Sequence, residues 1–102
     1  MNNEDVLSEC DPISELDEPW DGEDTYHRVC AIITDARETF TKKDGNAMGI
    51  VKAEFEGQEI SFAVFPRQWG SHRFLFKQRT VAVLKLRHTE RGIHFESGTR
   101  LT

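Results

Sequence analysis

Beyond its first quarter, the chain alternates apolar and polar residues with the two-residue period of β-strands. The alternation is clearest over residues 48–55, where Val51 and Ala53 are predicted to face a core and Ile50 and Lys52 to face outward. Five such segments are predicted as strands, at 28–34, 48–55, 59–65, 80–87 and 93–96. Their inward faces predict a core of Val29, Ile33, Val51, Phe55, Ile60, Phe62, Val64, Val81 and Val83.

The period changes between the third and fourth predicted strands. Pro66 cannot donate to a strand ladder and therefore ends the third strand. From Arg67 to Lys77 the apolar residues recur about every three or four positions, which indicates a short helix. Trp69 in this helix is predicted to close the floor of the structure. The order β-β-β-α-β-β predicts an all-β fold, the five-stranded Greek-key OB barrel, although other small barrels share this order.

The charge distribution separates an acidic arm from this strand-rich region. Residues 1–24 hold ten Asp and Glu and no Lys or Arg, which gives a charge of −10. Residues 25–102 hold the other eight acids and all thirteen basic residues, which gives +5. The acidic segment cannot bury enough apolar surface to fold alone. We predict a flexible acidic arm or linker at 1–24, with Ile13, Leu16 and Trp20 able to dock, and an OB-fold domain at 25–102.

The sequence contains no recognisable active-site motif. It has no HExxH, no P-loop and no GxGxxG, and its four histidines lack the spacing of metal ligands. Cys10 and Cys30 form no CxxC pair, so no zinc site is predicted, and Cys30 is interpreted as a small core residue. We therefore expect no catalytic residue, metal or cofactor, no membrane association, and a cytoplasmic setting.

Basic residues give the best functional signal. OB-folds bind single-stranded nucleic acid on the outer face of strands two and three and on the loops after strands one and four. The first of these loops carries Arg37 and Phe40, and its segment TKKDGNAM at 41–48 places two lysines before an Asp-Gly turn. Lysines can neutralise a phosphate backbone and release its counterions, so we expect weak, strongly salt-dependent binding. The predicted nucleic-acid contacts are Arg37, Phe40, Lys42, Lys43, Asn46, Lys52, Arg87 and Arg91.

Several segments resemble a known family. They are VCAIITDAR at 29–37, TKK at 41–43 with Met48, and VFPR at 64–67 with Trp69. They are similar to the OB domain near the C-terminus of the bacterial replicative DNA polymerase III alpha subunit, and the similarity would make the chain part of a divergent bacterial or phage homologue. It implies a module that holds single-stranded template DNA near the polymerase, with the remainder of a polymerase chain and other replication proteins as partners. No catalytic residue of the polymerase carries over, and the fragment is expected to be monomeric.

Three other functions remain open from the sequence. The barrel could be a protein-interaction module of a replication complex, a complete single-strand-binding protein, or a tRNA-anticodon-binding domain. Tight DNA binding by the chain alone would favour the second, and preference for a folded anticodon loop would favour the third. We also hypothesise that the acidic arm competes with DNA for the basic surface.

Overall fold

The computed structural model describes residues 10–13, 16 and 19–101. Its elements are β1 (Thr25–Phe40), β2 (Ala47–Phe55), β3 (Gln58–Val64), α1 (Pro66–His72), a 3-10 turn (Arg73–Leu75), β4 (Val81–Thr89) and β5 (Gly92–Arg100). All five predicted strands are present, and β1 and β5 extend furthest beyond their predicted ends. The predicted helix is divided into α1 and the 3-10 turn. Within the described ranges, no helix is long and apolar enough to cross a membrane.

The five strands close into a barrel in the order β1-β2-β3-β5-β4. The first half of β1 pairs with β4 and the second half pairs with β2, both antiparallel, and the two pairings overlap at Ile32. A short parallel contact between Ala63 of β3 and His94 of β5 completes the closure. This order, with one helix between β3 and β4, confirms the predicted all-β, OB-like fold.

A bulge at Thr34 changes which alternate residues of β1 face the core: the inward positions differ between its first and second halves. Ile33 and Asp35 pair with successive residues of β2, so Thr34 has no opposite residue in that ladder. The Thr34 hydroxyl instead donates a hydrogen bond of 3.1 Å to the carbonyl of Lys52. Ile33 is an inward position before the bulge, and Ala36 packs against the core after it. The outward positions of the second half are therefore odd-numbered.

The core prediction holds for β1, β2 and β3. The predicted residues that are buried in the central cluster are Val29, Ile33, Val51, Ile60, Phe62 and Val64. Phe55 is half-buried and packs against this cluster. Aromatic rings from the segment between the 3-10 turn and β4 and from β5 complete the core. The ring centroid of Phe62 lies 6.1 Å from that of Phe76 and 6.3 Å from that of Phe95.

The core prediction for β4 is wrong for Val81, which is only partly buried. Val83 is buried as predicted, but on the face that also carries Lys85 and outside the central cluster. The inward residues are Ala82, Leu84 and Leu86. Because residues 81–84 are apolar on both faces, the two-residue period does not indicate which face is inward. Cys30 pairs with Val83 and is buried as predicted, and its burial raises the pKa of the thiol.

Helix α1 covers the core beside the second half of β1. It begins at Pro66, whose fixed φ and missing N–H suit the first helical position. Trp69 is buried in the core, as predicted, and its indole N–H donates a 2.8 Å hydrogen bond to the Glu38 carboxylate. The Arg73 guanidinium lies 5.0 Å from the indole centroid and pairs with Glu38 at 3.0 Å. These contacts fix the helix to β1.

Part of the predicted acidic arm is attached to the barrel. Ile13 and Leu16 are buried in the core cluster. The Asp11 N–H donates to the Arg28 carbonyl at 2.6 Å, and the Arg28 N–H donates to the Asp11 carboxylate at 3.2 Å. Residues 1–9, which make up much of that arm, lie outside the described residues.

Candidate nucleic-acid interface

A row of outward-facing residues crosses all five strands of the barrel. Arg37 pairs with Ile50, Ile50 with Ala63, Ala63 with His94, and His94 with Arg87. Residues that lie directly opposite each other on neighbouring strands point to the same face. The row therefore places two predicted contact residues, Arg37 and Arg87, at its two ends on the outer surface of the barrel.

The β1–β2 loop is a compact hairpin loop. Its ends are joined by a 2.9 Å hydrogen bond from the Thr41 N–H to the Asn46 carbonyl. The Gly45 N–H donates to the Thr41 carbonyl at 2.9 Å, and Gly45 has a φ of +69°, which favours glycine. The Thr41 hydroxyl donates to the Asp44 carboxylate, and this bond is the main cause that lowers the Asp44 pKa. The backbone of Asn46 therefore holds the turn.

The loop lysines extend from this hydrogen-bonded frame into solvent. Lys42 and Lys43 are exposed, as are Arg37 and Lys52 on the neighbouring strands. Across the part of the chain that the structure describes, none of these four cations makes an ion pair. Their charges are thus available to an anionic ligand.

Phe40 lies on the opposite face of β1 from Arg37. The two residues are three apart after the bulge, so their side chains point to opposite sides of the strand. Phe40 pairs with Ala47, which packs against the core, and it extends past the barrel end with 63% of its surface exposed. The structure also places Arg37 and Phe40 in β1 rather than in the loop, where the sequence predicts them.

The basic surface ends toward the β2–β3 turn. Lys52 lies between Asp35 of β1 and Ser61 of β3. One row further, Glu54 of β2 lies directly opposite Glu59 of β3. The outer face of β2 and β3 is therefore basic near the β1–β2 loop and acidic near the β2–β3 turn, and the predicted cations do not form a continuous track along it.

Arg87 is held by acidic side chains. Its guanidinium pairs with Asp24 at 2.7 Å and approaches Glu96 at 3.9 Å, and it lies 5.8 Å from the Tyr26 ring centroid. The hydrogen bond to Asp24 is the main cause that raises the pKa of Arg87, and the same bond lowers the pKa of Asp24. Unlike the loop lysines, Arg87 already has an anionic partner from the segment before β1.

A cavity of about 390 Å³ opens beside Arg87. Its lining includes Arg91 of the β4–β5 turn, His94 of β5, Phe65 after β3, and Trp20 from the N-terminal segment. Phe65 is 39% exposed and meets His94 edge to face, with 4.6 Å between ring centroids. Burial lowers the pKa of His94, and the charge of Arg87 lowers it further. The cavity thus combines exposed aromatic rings with two guanidinium groups.

Comparison with known proteins gives no match. No family model, no curated protein and no solved structure matches the chain. The resemblance to the polymerase III alpha OB domain therefore stays a prediction from sequence motifs. In the described part of the chain, no group of three or more His, Cys, Asp and Glu residues could hold a metal ion.

Trp20, Tyr26, Phe65 and His94 lie around Arg87, and none of them is among the contacts predicted from the sequence. Phe65 is visible in the sequence as the end of a strand before a proline, but its exposure depends on the chain turning into α1. The ring centroid of Tyr26 lies 5.2 Å from the Lys85 ammonium nitrogen. The pairing of β1 with β4 creates this contact. The pairing of β4 with β1 and β5, which local sequence patterns do not reveal, brings Tyr26 and His94 to either side of Arg87.

Proposed function

We propose that this chain is a single-stranded DNA-binding module that holds a DNA strand across the outer face of its barrel by weak, salt-dependent backbone contacts. The observation that carries the proposal is the group of four exposed cations without ion-pair partners among the described residues: Arg37, Lys42, Lys43 and Lys52. Lys42, Lys43 and Lys52 lie on the loop and strand that OB-folds use for oligonucleotides, and Arg37 lies opposite Ile50 of that strand. Lysine and arginine contacts to phosphates are sequence-independent and release counterions.

Stacking adds a smaller contribution in this proposal. The central outer row offers Ile50 and Ala63 on β2 and β3, which are not aromatic. Phe65, directly after β3, is the exposed ring that follows Ala63 most closely in sequence. Base–aromatic stacking contributes about 1–3 kcal/mol per base, so a surface with few rings binds weakly. Weak binding suits a module that holds template DNA for a replicative polymerase, which is the role that the sequence resemblance implies.

Loss of the loop lysines tests the proposal. We expect Lys42→Ala/Lys43→Ala to weaken binding of a fluorescein-labelled oligo-dT about threefold to tenfold in low-salt fluorescence anisotropy. The slope of log affinity against log salt should fall by about 0.7 for each lysine that contacts a phosphate. Arg67→Ala/Lys77→Ala removes the same charge from exposed positions in and after α1. Equal affinities and slopes for the two double variants would contradict the proposal.

Two exposed aromatic side chains favour a second candidate function, docking of a replication protein. Phe74 of the 3-10 turn is 54% exposed, and Phe40 is 63% exposed. Phe74 follows Arg73 of the Glu38–Arg73 ion pair, and Phe40 lies on the same face of β1 as Glu38, which contacts Trp69 of α1. Chemical-shift mapping with a short DNA strand separates the two functions, since DNA should shift the amides of the β1–β2 loop and Lys52. No DNA-induced shift at these amides would contradict DNA binding and favour docking.

A further inference from the structure

The cavity beside the β4–β5 turn has the chemistry of a nucleotide site. Its volume of about 390 Å³ falls in the range of small-molecule sites, about 300–1,000 Å³. Trp20 and Phe65 are exposed by 36% and 39%, and each can offer a ring face to a base. Arg87 and Arg91 supply cations in the same lining, which also holds the carboxylates of Asp24 and Glu90. Aromatic rings and guanidinium groups are the pair of features with which single-strand binders hold base and phosphate.

Asp24 occupies the position at which such a site would hold a phosphate. Its carboxylate accepts a 2.7 Å hydrogen bond from the Arg87 guanidinium and lines the same cavity. Carboxylate and phosphate oxygens make equivalent charge-assisted hydrogen bonds with arginine. Both side chains of the pair are more than a third exposed, so a ligand can reach them from solvent.

The same aspartate also holds Trp20. The indole N–H of Trp20 donates a 3.2 Å hydrogen bond to the Asp24 carboxylate. Arg87 would keep its place if Asp24 left, because Glu96 at 3.9 Å and the Tyr26 ring contact it from the barrel. Displacement of one carboxylate would therefore expose a positioned cation and release an aromatic ring together.

We propose that this cavity binds one nucleotide of the DNA strand, and that Asp24 acts as an internal phosphate mimic which DNA must displace from Arg87. The proposal rests on the proposed DNA-binding function and adds its regulation by the acidic segment. Binding exchanges Asp24 for a phosphate on the guanidinium and allows Trp20 to stack on the base. In the absence of DNA, the ion pair occupies the Arg87 guanidinium and disfavours its pairing with weaker anions.

Removing the charge of Asp24 tests this competition. Asp24→Asn should bind labelled oligo-dT about threefold to tenfold more tightly than the parent protein at low salt, because Arg87 is no longer paired. Glu23→Gln is the matched control, since it removes one carboxylate from the neighbouring exposed residue without touching the Arg87 pair. Less than a twofold change is expected for the control. Equal effects of the two variants, or weaker binding by Asp24→Asn, would overturn the proposal.

A second measurement follows the aromatic ring itself. Addition of oligo-dT should change the tryptophan emission of the parent protein, and Trp20→Phe should abolish that change while Trp69 remains buried. Trp20→Ala in the Asp24→Asn background should weaken binding about fivefold or more if the ring stacks on a base. Unchanged emission together with unchanged affinity would overturn the nucleotide site. If Lys42→Ala/Lys43→Ala weakens binding but Asp24→Asn behaves as Glu23→Gln, the proposed function stands and this inference fails. If neither the parent protein nor any variant binds DNA, both fail.

Discussion

Trp69 lies directly over the backbone of Gly49. A Cβ atom added at position 49 would lie 2.4 Å from the Cε3 and Cζ3 atoms of the indole ring. The indole is held there by its 2.8 Å hydrogen bond to Glu38 and by its place in the core. Glycine at position 49 is therefore required by the close approach of α1 to β2.

We expect Gly49→Ala to lower the free energy of unfolding by about 1–3 kcal/mol, because the buried ring must shift to admit the methyl group. Urea denaturation followed by circular dichroism measures the change. Gly70→Ala is the matched control: Gly70 lies in α1 with open space around it, and alanine there should be neutral or stabilise by up to about 1 kcal/mol. A Gly49→Ala protein as stable as the parent would show that Trp69 does not pack on this residue.

Glu54 and Glu59 place two like charges opposite each other, and a charge-reversing substitution should turn their repulsion into attraction. Like charges directly opposite each other on neighbouring strands repel, so Glu59→Lys should stabilise the protein by about 0.2–1 kcal/mol. The gain should shrink when Glu54→Gln is already present, and thermal denaturation of the four proteins of this double-mutant cycle measures the coupling. Independent, additive effects would mean that the β2–β3 register is not the one described.

The β2–β3 turn contains a glutamate in a conformation that side chains disfavour. Glu56 and Gly57 have φ values of +51° and +82°, the signature of a two-residue turn that prefers Asn-Gly. Glu56→Asn should therefore raise the free energy of unfolding by about 0.5–1 kcal/mol. Glu56→Gln removes the same charge without the turn preference and should have a smaller effect in the same urea titration. If the two variants match, charge rather than backbone conformation determines the change.

Local patterns predict the fold well where one face of a strand is polar. The faces of β2 and β3 follow from alternation, since Lys52 and Ser61 are exposed between buried neighbours. The same rule fails for β4, whose Val81 and Val83 belong to a run that is apolar on both faces. It also fails to reveal the bulge at Thr34, which is defined by the pairing of β1 with β2.

The candidate site depends more strongly on such long-range pairing. The loop lysines are recognisable from TKKDGNAM, because the turn that exposes them is local. The partner of Arg87 is not, since Asp24 lies far from it in sequence and the two meet through the pairing of β1 with β4. Net charges of segments predict that an acidic segment and a basic domain attract each other, but not which carboxylate meets which guanidinium.

The depressed pKa of His94 predicts how stability depends on pH. Burial is the main cause, and the charges of Arg87 and Arg91 add to it, whereas Glu96 and Asp24 oppose it. Because the folded protein binds this proton less readily than the unfolded chain does, unfolding takes up a proton between the two pKa values. The contribution of His94 is therefore fully present above its ordinary pKa of 6.5 and decreases as the pH falls from there toward the lower folded pKa.

We expect His94→Gln to flatten the decline in the free energy of unfolding between about pH 7.5 and pH 5.5, as measured by urea denaturation at each pH. The imidazole resonances of the folded parent protein, followed by NMR, should give His94 a pKa below 6.5. A measured His94 pKa of 6.5 or above would contradict the burial of this ring between Phe65 and the barrel. In the proposed nucleotide site, a bound phosphate should raise the His94 pKa again, because the anion favours the protonated ring. Repeating the NMR titration with saturating oligo-dT measures that rise.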